Sequence, residues 1–237
     1  MKKILRKILY IFFPRLTKGA SILMYHSVAK NTAFFTVSPE DFEKQMEYLC
    51  RSGFKIIPLS LLLDMFFRKE DVSSFVSVTF DDGYLDNLEN ALPVLRKNNI
   101  KATIFIAPKL LGSKFTTSDA VTLDIFSHED FKKYDGFTNF ELLPHSFSHK
   151  ELTRLNAEEV KEELSESINY LNSISESRKI LAYPRGRHSK AVIEVLLAEG
   201  WESGVTTLPG LLTGNTERFL IPRNFVGRDT QFSEFKT

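Results

Sequence analysis

Short β-branched and aromatic runs recur along the 237-residue chain, and a helical pattern follows most of them. The runs fall at Ser21–Tyr25, 54–58, 76–80, 102–107, 140–143, 180–183, 203–206 and 219–221. Between them, Ser38-Pro39 opens a helix that Gly53 closes, residues 59–68 and 90–97 read as helical, and Asn156 with Glu159 caps another helix. Ser189 caps the next, which Gly200 ends. Parallel strands need crossover connections, so this alternation implies β/α units. Seven or eight of them predict an α/β protein, a distorted (β/α) barrel of seven or eight parallel strands. Residues 108–138 are the least regular stretch, with a short helix expected near 128–134. A long connection after a strand suits a substrate loop.

Barrels place their chemistry on the loops that follow the strands. Three such places carry reactive side chains. Val76-Ser77-Val78-Thr79-Phe80 alternates as a strand does and then meets Asp81-Asp82-Gly83. Two carboxylates at the mouth of a buried strand are costly unless they are paired, hydrogen-bonded or on a metal. An Asx turn is the structural alternative. His145 and His149 follow a second apolar run, and Tyr183-Pro184-Arg185-Gly186 follows a third. A helix after Pro144 would bring both imidazoles to one face, where a carboxylate from another strand end completes a two-histidine, one-carboxylate site suited to zinc hydrolysis. His145 is followed by Ser146, so the HExxH pattern is absent, as are a Gly-x-Ser-x-Gly elbow and a Walker loop. A glycosidase needs carboxylates on opposite sides of a sugar, whereas Asp81 and Asp82 are neighbours.

The remaining composition bears on location. The first 39 residues carry Lys2, Lys3, Arg6, Lys7, Arg15, Lys18 and Lys30 and no acid, while the rest of the chain is acidic. Ile4, Leu5, Ile8, Leu9 and Phe12 share a helical face. We therefore expect residues 1–19 to form a basic amphipathic segment ahead of a catalytic barrel over 20–237. It either makes peripheral contact with an anionic membrane or caps the barrel. The apolar run is short and lacks a small-residue cleavage site, which favours a cytoplasmic protein, on the inner membrane face if the segment binds lipid. No nucleic-acid motif is present. The single Cys50 excludes an internal disulfide, and its spacing from Phe42, Met46 and Leu49 predicts burial.

Thr79-Phe80-Asp81-Asp82-Gly83, His145-Ser-Phe-Ser-His149 and Tyr183-Pro184-Arg185-Gly186, in that order, resemble the successive motifs of the polysaccharide deacetylases, carbohydrate esterase family 4. The resemblance runs from about Ser21 to Val226. Met24-Tyr25-His26-Ser27 and Leu220-Ile221-Pro222-Arg223 are similar to the family's biofilm-polysaccharide branch. The family implies a distorted barrel, one divalent metal ion, zinc as a rule, and removal of N-acetyl groups from a sugar polymer or lipid-linked sugar. It implies Asp82, His145 and His149 as metal ligands and Asp81 as the base that activates the attacking water. It places a backbone N–H near Tyr183 on the oxyanion. Tyr183, Pro184 and Arg185 would line the substrate groove, and Trp201 and Leu220 the acetyl pocket.

Two departures stand out. Ala182 occupies the place of an arginine that orients the base, so that role is vacant or falls to Arg185 or Arg223. The last strand lacks the family's acid histidine. In a barrel the last strand lies beside the first, so His26 at the end of the first strand is the expected proton donor, with His188 the second candidate. A catalytically inactive, glycan-binding barrel is the alternative function.

Overall fold

The computed structural model describes residues 19–236. The strands are β1 (Ser21–Tyr25), β2 (Ser27–Val28), β3 (Thr36–Val37), β4 (Lys55–Ile56), β5 (Phe75–Asp81) and β6 (Ala102–Ile106). They continue with β7 (Lys114–Thr116), β8 (Thr122–Asp124), β9 (Phe140–Pro144), β10 (Ile180–Ala182), β11 (Ser203–Val205) and β12 (Asn224–Phe225). The helices are α1 (Pro39–Arg51), α2 (Leu59–Phe67), α3 (Leu92–Lys97), α4 (His128–Lys133), α5 (Ala157–Ile174), α6 (Lys190–Ala198) and α7 (Phe232–Phe235).

The caps expected from the sequence are formed. Ser38 accepts from the Asp41 N–H with Pro39 opening α1, Asn156 and Glu159 make a reciprocal capping box on α5, and Ser189 caps α6. Each satisfies backbone donors that a helix start leaves unpaired. Parallel pairing orders the main sheet β12-β1-β5-β6-β9, with β4 on β5, while β10 and β11 form a separate parallel pair. Ile221 bridges Val205 in parallel just before the chain enters β12. Ile22, Phe105, Leu143, Ala182, Val205 and Ile221 meet in one buried cluster, so these strands curl around a shared interior. The ladders leave a seam between β9 and β10.

Several local expectations need correction. The strand foreseen at 219–221 is a single bridge at Ile221, and the paired strand lies later, at Asn224–Phe225. The helix foreseen over 90–97 begins with a π-turn at Asn87–Ala91. Residues 108–138 contain an antiparallel β7–β8 hairpin as well as α4. Cys50 is exposed. Phe42, Gln45, Met46 and Leu49 complete the buried stripe of α1, and one further residue, about 100° round the helix, faces out. Residues 1–18 of the expected basic segment 1–19 lie outside the described residues. Among the described residues no helix is long and apolar enough to cross a membrane.

Candidate metal and catalytic site

All three motifs reach the same rim, at the C-terminal ends of β5, β9 and β10. β5 ends at Asp81, and the next two residues take left-handed backbone conformations, φ +71° at Asp82 and +72° at Gly83. A Cβ on Gly83 would come within 3.0–3.1 Å of the Phe126 and Ile106 side chains, so the turn needs glycine for space as well as conformation. The reversal gives the adjacent carboxylates different surroundings.

Asp82 Oδ1 lies 3.6 Å from His145 Nε2 and 3.3 Å from His149 Nε2, and ligand atoms of all three residues fall within 4.8 Å of one another. That Oδ1 is buried and takes no hydrogen bond from the described residues. The other oxygen, Oδ2, accepts from the Tyr84 hydroxyl at 3.2 Å. An orphaned carboxylate oxygen facing two imidazole nitrogens is the donor set a divalent cation takes. His145 Nδ1 pairs with the Ala182 carbonyl at 2.7 Å, across the β9–β10 seam. The carbonyl accepts, so Nδ1 carries the proton and Nε2 is left as a lone-pair donor towards Asp82. Burial lowers the His145 pKa to about 4, against the opposing pull of Asp81, and keeps the imidazole neutral.

The two histidines do not share a helix face. Residues 145–149 form a bent loop in which Ser146 (φ +57°) and His149 (φ +59°) are left-handed. The loop is held from α5, whose Glu163 accepts the backbone N–H groups of Phe147 (3.1 Å) and Ser148 (2.8 Å). One turn along the same helix, Ser167 donates to the Ser146 carbonyl. Such bonds offset the cost of left-handed backbone at residues with a Cβ.

Asp81 belongs to a different network. Arg223 is fully buried and grips it with Nη1 at 2.6 Å and Nη2 at 2.7 Å. Arg223 also donates to Thr79 Oγ1 and to the Thr206 carbonyl. Burial alone would raise the Asp81 pKa, but the Arg223 charge and hydrogen bonds outweigh it and hold the carboxyl well below its usual range. Of the two arginines the sequence offered beside Asp81, Arg223 is the one that contacts it. Arg185 is exposed and reaches Glu151 instead.

The β1–β5 register, Tyr25 opposite Phe80, carries His26 to the level of Asp81. Asn87 holds the His26 carbonyl at 2.7 Å. The ring lies by Phe35 and Phe225, and its Nδ1 is buried with no partner among the described residues. His188 packs on Tyr183 instead.

The expected substrate-lining residues fare unevenly. Tyr183 is fully buried and its hydroxyl donates to the Phe219 carbonyl, so its side chain does not line a groove; it backs the site from within. Pro184 is buried as well. Trp201 starts from the far side: it precedes β11, beside Glu202, whose N–H bonds the Lys179 carbonyl just before β10, so its backbone lies at the opposite ends of these parallel strands. Its side chain is buried in a cluster that includes Leu164, Leu196, Leu152 and Tyr183. Leu220 is half-buried beside the Ile221 bridge. Sequence reasoning missed Glu163 and Tyr84. Tyr84 directly follows the Asp-Asp-Gly turn, which was a usable signal, whereas Glu163 is one acid among several on α5.

Fold and site define a hydrolase-like α/β protein with a cation-ready rim. The family model for polysaccharide deacetylase matches residues 68–203, and the chain belongs to that family. It is 29% identical over 204 residues to the YxkH protein of Bacillus subtilis, covering 85% of this chain and 69% of that one. It is 25% identical over 218 residues to the poly-beta-1,6-N-acetyl-D-glucosamine N-deacetylase of Staphylococcus aureus, covering 88% of this chain and 74% of that one. The fold is similar to that of a Streptococcus pyogenes deacetylase solved with acetate: TM-score 0.77, 20% identity, 92% of this chain and 96% of that chain. A polysaccharide deacetylase from Bacillus cereus superposes with a TM-score of 0.75 at 23% identity, over 92% of this chain and 68% of that chain.

Proposed function

We propose that the protein is a metal-dependent hydrolase that removes N-acetyl groups from an N-acetylated glycan, with Asp82, His145 and His149 holding one divalent cation, zinc in the first instance. The buried, unpartnered Asp82 Oδ1 facing both imidazole nitrogens carries this reading. A cation bound there would polarise the amide carbonyl and lower the pKa of the attacking water.

The positions of the other groups support a role for each. Arg223 keeps Asp81 ionised and aimed, so Asp81 accepts the water's proton as the carbonyl carbon is attacked. The Tyr183 N–H already donates to the Val205 carbonyl and Pro184 has none, which leaves the N–H of Arg185 to stabilise the oxyanion. His26 donates a proton to the departing nitrogen, because an amide anion is a poor leaving group. The similarity to the Staphylococcus aureus deacetylase makes a β-linked N-acetylglucosamine polymer the first substrate to try.

The test is metal content after purification without chelator, combined with acetate release from acetylated glucosamine oligomers before and after chelation. Stoichiometric metal and chelator-sensitive acetate release are expected. Full activity in metal-free protein would overturn the reading. Metal-loaded protein that binds the oligomers and releases no acetate would point to the glycan-binding alternative.

A further inference from the structure

A block of aromatic rings stands beside the site without a role in the chemistry above. Phe34 is 63% exposed, Phe115 43% and Phe225 41%. They come from the β2–β3 connection, strand β7 and strand β12. Phe34 lies 5.2 Å from Phe35 and 6.2 Å from Phe225, and Phe115 lies 6.4 Å from Phe35, so the rings form one connected group. Behind the exposed faces, Phe35 stacks on Tyr84 at 5.6 Å and 12°, and Tyr84 holds Asp82. Exposed aromatic rings gathered in one group beside a site are a candidate binding surface.

The shelf is built in advance of any ligand. Asn31 Oδ1 accepts from the Ala33 N–H and the Thr36 hydroxyl, and the Phe34 carbonyl accepts from the Arg228 N–H. The neighbouring cations are paired: Lys30 with Glu40, Lys114 with Asp124, and Arg228 with Asp229, its guanidinium also donating to the Thr32 carbonyl. The surface is therefore aromatic and locally charge-balanced. That suits the apolar faces of neutral pyranose rings, and these paired cations, among the described residues, do not make the free cationic rim of an anionic-membrane contact.

We propose that Phe34 and Phe115, with Phe225 at the edge, form a stacking subsite for the sugar units flanking the one being deacetylated. Phe115 is one ring contact from the Tyr84 that holds Asp82, at 6.3 Å, and Phe34 is two, so a sugar on the shelf lies beside the reacting amide rather than over it. The proposal rests on the deacetylase reading given above.

The experiment compares kcat/KM for a long acetylated glucosamine oligomer with kcat/KM for the single acetylated sugar, in wild type, Phe34→Ala, Phe115→Ala and Phe34→Trp. The oligomer-to-monomer ratio should fall about tenfold in each alanine variant and recover in Phe34→Trp. A general structural defect would lower both substrates alike, and an unchanged ratio overturns the subsite. If wild type releases no acetate at all, the deacetylase reading has failed, and oligomer binding is then measured directly by saturation-transfer NMR. Binding lost in Phe34→Ala keeps the shelf, and equal binding by both proteins removes it. Phe34-dependent flotation with phosphatidylglycerol vesicles, alongside an unaltered ratio, would make the surface a lipid contact instead and overturn the proposal.

Discussion

On the β9–β10 side of the site, the imidazoles are fixed. His145 is tied to Ala182 and the loop carrying His149 is tied to α5 through Glu163 and Ser167. On the β1 side, the backbone of His26 is tied to Asn87, while its ring lies by Phe35 and Phe225 and its Nδ1 has no partner among the described residues. Cation ligands must converge within a few tenths of an ångström, which requires bonds to every movable part. In the role proposed for His26, a proton donor must meet a nitrogen that moves as its bond breaks, and a ring whose Nδ1 has no described partner suits that role. The adjacent aspartates repeat the contrast: Asp81 is fully engaged by Arg223, and Asp82 keeps one oxygen bare.

The sharpest test of the contrast is on the rigid side. His145→Ala should lose both bound metal and acetate release while circular dichroism stays native, and full metal occupancy with normal turnover would break the assignment. Dividing the aspartates comes next. Asp81→Asn should keep the metal and lose about 10⁴-fold in turnover, whereas Asp82→Asn should lose the metal. Equal metal loss in both would show that the two carboxylates are not divided this way.

On the soft side, His26→Ala should keep metal and fold and lower turnover by about 10²–10⁴, with a changed basic limb of the pH–rate profile. Near-normal activity there, with both effects appearing in His188→Ala, would move the proton donor to the Tyr183 turn. A smaller effect belongs to the tether. Glu163→Ala should weaken metal affinity about 10–100-fold, with activity returning at saturating metal. Unchanged affinity would mean that the loop holds its shape without α5.

The smallest effect is on acid stability. The folded Asp81 carboxyl is held below its unfolded value of about 3.9, so its stabilisation is fully present above that value and lost as pH falls through the folded pKa. Melting temperatures of chelator-treated protein should therefore fall more steeply below about pH 4 in wild type than in Asp81→Asn. Parallel curves would show that the Arg223 pair does not set the acid limit.

The sequence by itself determined what short-range physics determines. The Ser38, Asn156 and Ser189 caps close within three residues, and the alternation from Val76 to Phe80 declares its own strand. The Asp-Asp-Gly turn and the histidine pair were legible because their residue types are rare together at strand ends. Only the tertiary structure decided what depends on distant segments. Arg223 meets Asp81 across 142 residues, and no local pattern chooses it over Arg185. The convergence of His145 and His149 through a left-handed loop, rather than a helix, depends on α5 arriving to satisfy the loop's N–H groups. The far-side start of Trp201 was not legible because composition marks a residue as apolar without saying which end of a parallel strand it occupies. Local hydrogen bonds and periodicity are written along the chain, whereas the partners of a buried charge are set by which strands the fold brings side by side.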